Sequence, residues 1–210
     1  MAFVWLKLYE TPITAAVGII LIFLCNVVYA FLARRYNVLN SGLRGEKQLY
    51  RIAKKLSGNN IILRNLPVRY KKGRSELDLM VVSHKGIIIV EVKNHSAAIS
   101  GSWKAAKWTQ KKIYRDGKNS SIEMDNPIKQ MRRQRDIVKS ILNASGEDVW
   151  VDTVLFFSSP NAKLRLNLRE NDYVCSSSAE LLHFLEGYDR GETISQSRME
   201  KIAAILKDAA

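Results

Sequence analysis

From Ile13 to Ala33 the chain runs without a charged residue, and this stretch constrains the molecule more than any other. Its apolar positions cover every side of a helix, Val17, Ile19 to Leu24, Val27, Val28, Phe31 and Leu32 among them, with Asn26 the one strongly polar member. A helix of about 20 such residues crosses the hydrocarbon core of a bilayer with its backbone hydrogen bonds satisfied internally. Trp5 and Tyr9 before the run, and Arg34, Arg35 and Tyr36 after it, are residues that favour the membrane interface. A cleaved secretory signal is the competing reading, but its apolar region is shorter and carries more positive charge in front. Residues 1–36 are therefore expected to be a membrane anchor with one transmembrane helix over about 12–33. Lys7 alone precedes the run, whereas Arg34, Arg35, Arg44, Lys47, Arg51, Lys54 and Lys55 follow it, which places the remainder of the chain in the cytoplasm.

The charge distribution points the same way. Of 33 Lys and Arg and 20 Asp and Glu, residues 1–33 hold only Lys7 and Glu10, so the net charge of +13 belongs to the part beyond the apolar run. Such a surface attracts polyanions, either nucleic-acid phosphates or anionic lipid headgroups. Cys25 and Cys175 are too far apart to suggest a disulfide framework or a zinc cluster. Residues 37–43, with Asn37, Asn40, Ser41 and Gly42, read as a juxtamembrane linker. The soluble part then divides into a core over 44–145 and a C-terminal α/β extension over 146–210.

Periodicity gives the outline of that part. Leu49, Ile52, Ala53 and Leu56 recur at helical spacing with Glu46 at the edge of their stripe. Ile61–Val68, Glu76–Ser83 and Gly86–Lys93 are β-rich runs separated by turn residues. The lysine-rich stretch from Ser100 to Asn119, with Trp103 and Trp108, suggests a small hairpin outside the core. Asp125-Asn126-Pro127 offers a helix cap with proline in the first turn, for a helix to about Asn143. Val149–Ser158 and Tyr173–Cys175 read as strands, Ala179–Phe184 as a helix, and Thr193 to Gln196 as the capping box of a last helix. One α/β sheet domain with helices on its faces fits this order.

Three residues stand where charge is costly. Ile87-Ile88-Ile89-Val90 has the character of a strand buried on both faces and continues directly into Glu91-Val92-Lys93. Alternation turns Glu91 and Lys93 to one face. Asp78 interrupts a neighbouring apolar run and could come near Glu91 on an adjacent strand. Paired carboxylates repel unless a cation lies between them, and oxygen ligands of this kind suit Mg²⁺ or Mn²⁺. The plainer alternative is an ion pair between Glu91 and Lys93. On the helix after Asn126, Gln130 falls in the apolar half, where its amide either satisfies backbone groups or reaches a site under the sheet. Lys129, Arg132 and Arg133 on the other half, with Lys104, Lys107, Trp108, Lys111 and Lys112, could follow a phosphate backbone or simply be a solvated face. His84, His95 and His183 lack metal-ligand spacing, and neither a serine elbow nor a phosphate-binding glycine loop is present.

Gly45-Glu46, Glu76-Leu77-Asp78, Gly86 followed by Glu91-Val92-Lys93-Asn94, Trp108 and Asn126-Pro127-Ile128-x-Gln130 together resemble the nuclease-related domain family, over about residues 44–145. That family is similar in fold to the restriction-endonuclease superfamily, which implies a mixed sheet flanked by helices. The resemblance implies that Asp78 and Glu91 hold the metal and Lys93 assists the water, with Glu46 as an added metal-side carboxylate and Gln130 as an orienting group. Leu77 stands where the superfamily commonly has proline. The implied activity is membrane-anchored, metal-dependent hydrolysis of phosphodiester bonds, in DNA ahead of RNA. The alternatives are an inactive module that binds nucleic acid at the membrane and an adaptor that engages lipid.

Overall fold

The computed structural model describes residues 12–113, 119–191 and 193–210. The chain divides into two compact units, with the boundary in sequence between Leu43 and Arg44. Helix α1, Pro12–Ala53, contains a segment long and apolar enough to cross a membrane, with none of that segment buried. The Asn26 amide donates to the Ile22 carbonyl, so the one polar group in the run is satisfied within its own helix. Trp5, Lys7 and Tyr9 lie outside the described residues. Residues 37–43, expected to form a linker, are helical. Each of their Asn, Ser and Gly residues lowers helix stability by no more than about 1 kcal/mol, and a helix already nucleated on both sides extends through them.

Beyond α1 the elements are β1 (Ile61–Tyr70), β2 (Gly73–Ser83), β3 (Gly86–Lys93), β4 (Ala98–Ser102), β5 (Lys107–Ile113), β6 (Asn119–Asp125), α2 (Pro127–Ala144), β7 (Val151–Phe157), β8 (Lys163–Asn167), β9 (Tyr173–Cys175), α3 (Ser178–Gly187) and α4 (Gln196–Asp208). They build a mixed α/β domain with two mixed sheets. The first sheet has the order β1-β2-β3-β7-β9, antiparallel through β3 and parallel beyond it. Met80, Val82, Ile87 and Ile89 pack on one face against α2 and α4. Leu79, Val81, Ile88 and Val90 pack on the other against the end of α1 and against α3. Burial of both faces is what the unbroken Ile87–Val90 run requires.

The second sheet, β6-β5-β4-β8, replaces the isolated hairpin expected for this region. Strand β8, which carries no strong sequence signal, pairs in parallel with β4 and closes the sheet. Helix α2 begins as anticipated, with the Asn126 side chain accepting from the Ile128 amide and proline in the first turn. The last helix is capped two residues later than expected, by Ser195 accepting from the Arg198 amide.

One irregularity positions the site. The β1–β2 ladder pairs Arg64 with Leu79 and Leu66 with Leu77 but skips Asn65 and Asp78. Asn65 has φ +46°, the left-handed region that asparagine tolerates better than most residues. Across this point the alternation shifts by one: Leu63 and Met80 share a core cluster with Leu66, Val68 and Leu77. Local interruptions of a ladder re-aim side chains, and this one lies at Asp78.

Candidate active site

Strand β3 delivers Glu91 and Lys93 to the face covered by α2, as alternation requires. Glu91 is only 1% exposed. Lys93 Nζ donates to its Oε1 at 2.6 Å and Gln134 Nε2 to its Oε2 at 2.8 Å, so both carboxylate oxygens are engaged. Lys93 also reaches Gln130 Oε1 at 3.3 Å. Gln134 is fully buried, and its amide also donates to the Glu76 carbonyl at 3.0 Å. Its own Oε1 is buried without a hydrogen-bond partner among the described residues. Turning that amide over would set its carbonyl against the Glu91 carboxylate, which fixes the orientation for an ionised Glu91.

Asp78, on β2, accepts from the Val92 amide through Oδ2 at 2.8 Å. Burial first, and then the Glu91 charge, push its carboxyl up from 3.8 to about 7; the Val92 hydrogen bond and Lys93 act against this, and Glu46 adds a smaller upward push. Two carboxylates thus share a poorly hydrated site, which strongly favours a positive charge between them. Burial, and then Lys93, hold the His95 imidazole below its usual value, so it stays neutral near the site.

Glu46 does not join them as a third metal-side ligand. It lies on α1 in the segment that packs on the face opposite α2, and its Oε2 accepts from Asn65 Nδ2 at 3.2 Å. Among the described residues no group of three or more His, Cys, Asp and Glu is placed to hold a metal ion. The carboxylates that could face a cation are therefore the Asp78–Glu91 pair. This suits a hard cation that retains water ligands, such as Mg²⁺ or Mn²⁺, better than zinc or an all-protein calcium cage.

Gln130 is half-buried and touches Lys93, whereas the buried glutamine bonded to Glu91 is Gln134, which the sequence reading passed over. The two are four residues apart and lie on one helix stripe, so the signal was present.

The expected nucleic-acid contacts separate into three groups. Trp108 is not among them: it is 1% exposed, packed with Ile99, Ile128 and Phe157, and bonded through Nε1 to the Ser102 carbonyl. Its ring lies so close to Gly101 that a Cβ there would fall 2.3 Å from it. Lys129, Arg132 and Arg133 line an open groove with Tyr70, Gly73 and Asp136, but Arg132 is held by Asp172 at 2.7 and 2.9 Å. Lys104 and Arg132 flank the ring of Trp103, on which Arg169 stacks at 3.5 Å. On β5, Lys107 pairs with Glu123, and Lys111 and Lys112 point to opposite faces.

An uncharacterised protein of Bacillus anthracis is 38% identical over 91 residues, which is 42% of this chain and 41% of that one. The chain thus spans about two fifths of the length of this curated relative. No solved structure matches the chain. The nuclease-related domain family matches residues 41–158, a segment that covers more than half of the chain and includes the Asp78, Glu91, Lys93 and Gln134 constellation; the chain belongs to the nuclease-related domain family.

Proposed function

We propose that the domain is a metal-dependent phosphodiesterase acting on nucleic acid, DNA ahead of RNA, tethered by α1 to a membrane with residues 44–210 on the cytoplasmic side. The observation that carries this reading is Glu91, buried beside Asp78 and held by Lys93 and Gln134. Asp78 and Glu91 would hold Mg²⁺ or Mn²⁺, which when bound supplies charge neutralisation at the phosphate and a more acidic water. Gln134 holds Glu91 in a fixed orientation through its hydrogen bond to Oε2. Lys93 is free to turn from Glu91 toward the scissile phosphate once another cation faces that carboxylate, and Gln130 limits where its ammonium can go. The basic surface residues, including Lys104, Lys129 and Arg133, supply attraction for the polyanion without reading its sequence.

A second reading rests on the 2.6 Å Glu91–Lys93 contact, which closes the pair with no need of a metal and suits a module that binds nucleic acid without cutting it. Labelled single- and double-stranded DNA and RNA, incubated with the full chain and Mg²⁺, Mn²⁺ or chelator, separate the two. Metal-dependent cleavage that disappears in Glu91→Ala and Lys93→Ala supports the enzyme. Binding that survives with no cleavage under either metal removes it in favour of the binding module.

A further inference from the structure

The two faces of the second sheet differ in kind. Ile99 and Trp108 point inward to the core shared with Ile128 and Phe157. The outward face follows from the register. Ala98 lies between Lys111 on β5 and Lys163 on β8, and Ser100 lies between Thr109 and Arg165. Directly opposed residues share a face, so Lys163, Ala98 and Lys111 form one row and Arg165, Ser100 and Thr109 the next. Lys111, Lys163 and Arg165 are exposed, and among the described residues none of them forms an ion pair. By strand geometry Lys163 and Arg165 are about 6.6 Å apart along β8, and Lys163 and Lys111 about 9.6 Å apart across β4.

We propose that this face, with Lys111, Lys163 and Arg165 set around the short side chains of Ala98, Ser100 and Thr109, is a docking surface for the phosphodiester backbone of duplex nucleic acid. The inference rests on nucleic acid being the partner, and on neither metal binding nor cleavage. Three cations with no ion-pair partner among the described residues, on a low floor, allow a polyanion to approach closely. Among the described residues these rows hold no aromatic ring and so no platform for stacking unpaired bases, which favours a duplex over a single strand. Glu123 and Asp125 on β6 make the far edge acidic, Glu123 being already paired with Lys107, so the attractive part is confined to β8, β4 and the near side of β5. The sheet is also tied to the candidate site through the backbone: the Lys163 amide donates to the Ala97 carbonyl, four residues beyond Lys93, and the Ser158 amide donates to the Lys93 carbonyl.

The test uses the full chain in phosphatidylcholine nanodiscs, with chelator present, and fluorescence anisotropy of a labelled DNA duplex over a series of salt concentrations. The triple variant Lys111→Gln, Lys163→Gln, Arg165→Gln should lower the slope of log K against log salt by about 2 to 3 and weaken low-salt binding roughly a hundredfold. Ser100→Glu, which alters the floor alone, should weaken duplex binding by a smaller factor, and Lys207→Gln, at the exposed end of α4, should bind as the parent does. An unchanged slope in the triple variant overturns the proposal. So does loss of association with phosphatidylserine vesicles while duplex binding is kept, which would assign the face to lipid. Absence of cleavage in separate reactions with Mg²⁺ or Mn²⁺, together with the expected slope change, defeats the enzyme reading alone, whereas a parent chain that binds no duplex defeats both.

Discussion

The two sheets make opposite use of charge. In the first, both faces are covered, and the ionisable groups Asp78, Glu91 and Lys93 sit where hydration is lost and each must be answered by a partner. In the second, one face is core and the other is open, and lysines stand along β5 and β8 at little cost. A charge in the first sheet therefore calls for a functional explanation, while a charge in the second is cheap and becomes informative only through its arrangement.

Substitutions that remove one side of a buried partnership should separate the sheets most sharply. Lys93→Met leaves Glu91 buried without its cation and should lower stability by about 3 kcal/mol, toward the lower part of the range for breaking a buried pair because Lys93 keeps some exposure. Chemical denaturation measures this, and Glu91→Leu combined with Lys93→Met should recover much of the loss. An equal loss in single and double variants would remove the partnership argument.

Next in size is the response to pH. Asp78 titrates at about 7 in the folded chain against an ordinary 3.8, so between about pH 4 and 7 the unfolded chain releases a proton that the folded chain retains. Stability without metal should fall as pH rises through that window, by about 2 kcal/mol after allowance for partial exposure, with no contribution below it and the full penalty above. Asp78→Asn should flatten this part of the profile, and Mn²⁺ at pH 7.5 should restore stability to the parent chain. Melting curves at pH 4, 5.5 and 7 that coincide for parent and variant would contradict it.

Gln134→Met keeps the volume but removes the donor to Glu91 and to the Glu76 carbonyl, which should cost about 1 to 2 kcal/mol and weaken Mn²⁺ binding roughly tenfold or more. Electron paramagnetic resonance of Mn²⁺ reads the second quantity independently of activity. Unchanged Mn²⁺ affinity would reduce Gln134 to a packing residue. Smallest of all, Lys107→Ala in the second sheet breaks only an exposed pair with Glu123 and should move the melting temperature by no more than the equivalent of about 0.5 kcal/mol.

The same contrast sets what the sequence discloses. Strong periodicity made β1, β2, β3, β7 and α2 legible, and strict alternation put Glu91 and Lys93 on one face before any contact was known. The register shift at Asn65 was not legible, because a single asparagine in a strand carries no mark of a positive φ. Gln134 was hidden by its likeness to Gln130 on the same stripe, since a helical wheel cannot tell which of two glutamines the sheet covers. Trp108 misled by its lysine neighbours: alternation in β5 buries one residue and exposes the next, so local composition says little about the tryptophan itself. Strand β8 was missed because its pairing partner β4 lies far away in sequence, and its alternation of Leu164 and Leu166 with charged residues needed that partner to become meaningful.

The first sheet joins a meander, β1 to β3, to strands contributed by a much later part of the chain. Contacts between neighbours in sequence close quickly, and those across long loops close slowly. Asp78, Glu91 and Lys93 all belong to the early-closing part, whereas Gln134 and the β7 strand that seals their surroundings arrive late. The carboxylates can thus stay hydrated through most of the folding reaction and lose water only when α2 and β7 dock. A cation that favours the finished pair should then act mainly on escape from the folded state. Stopped-flow measurements should find Mn²⁺ slowing unfolding while leaving the refolding rate nearly unchanged.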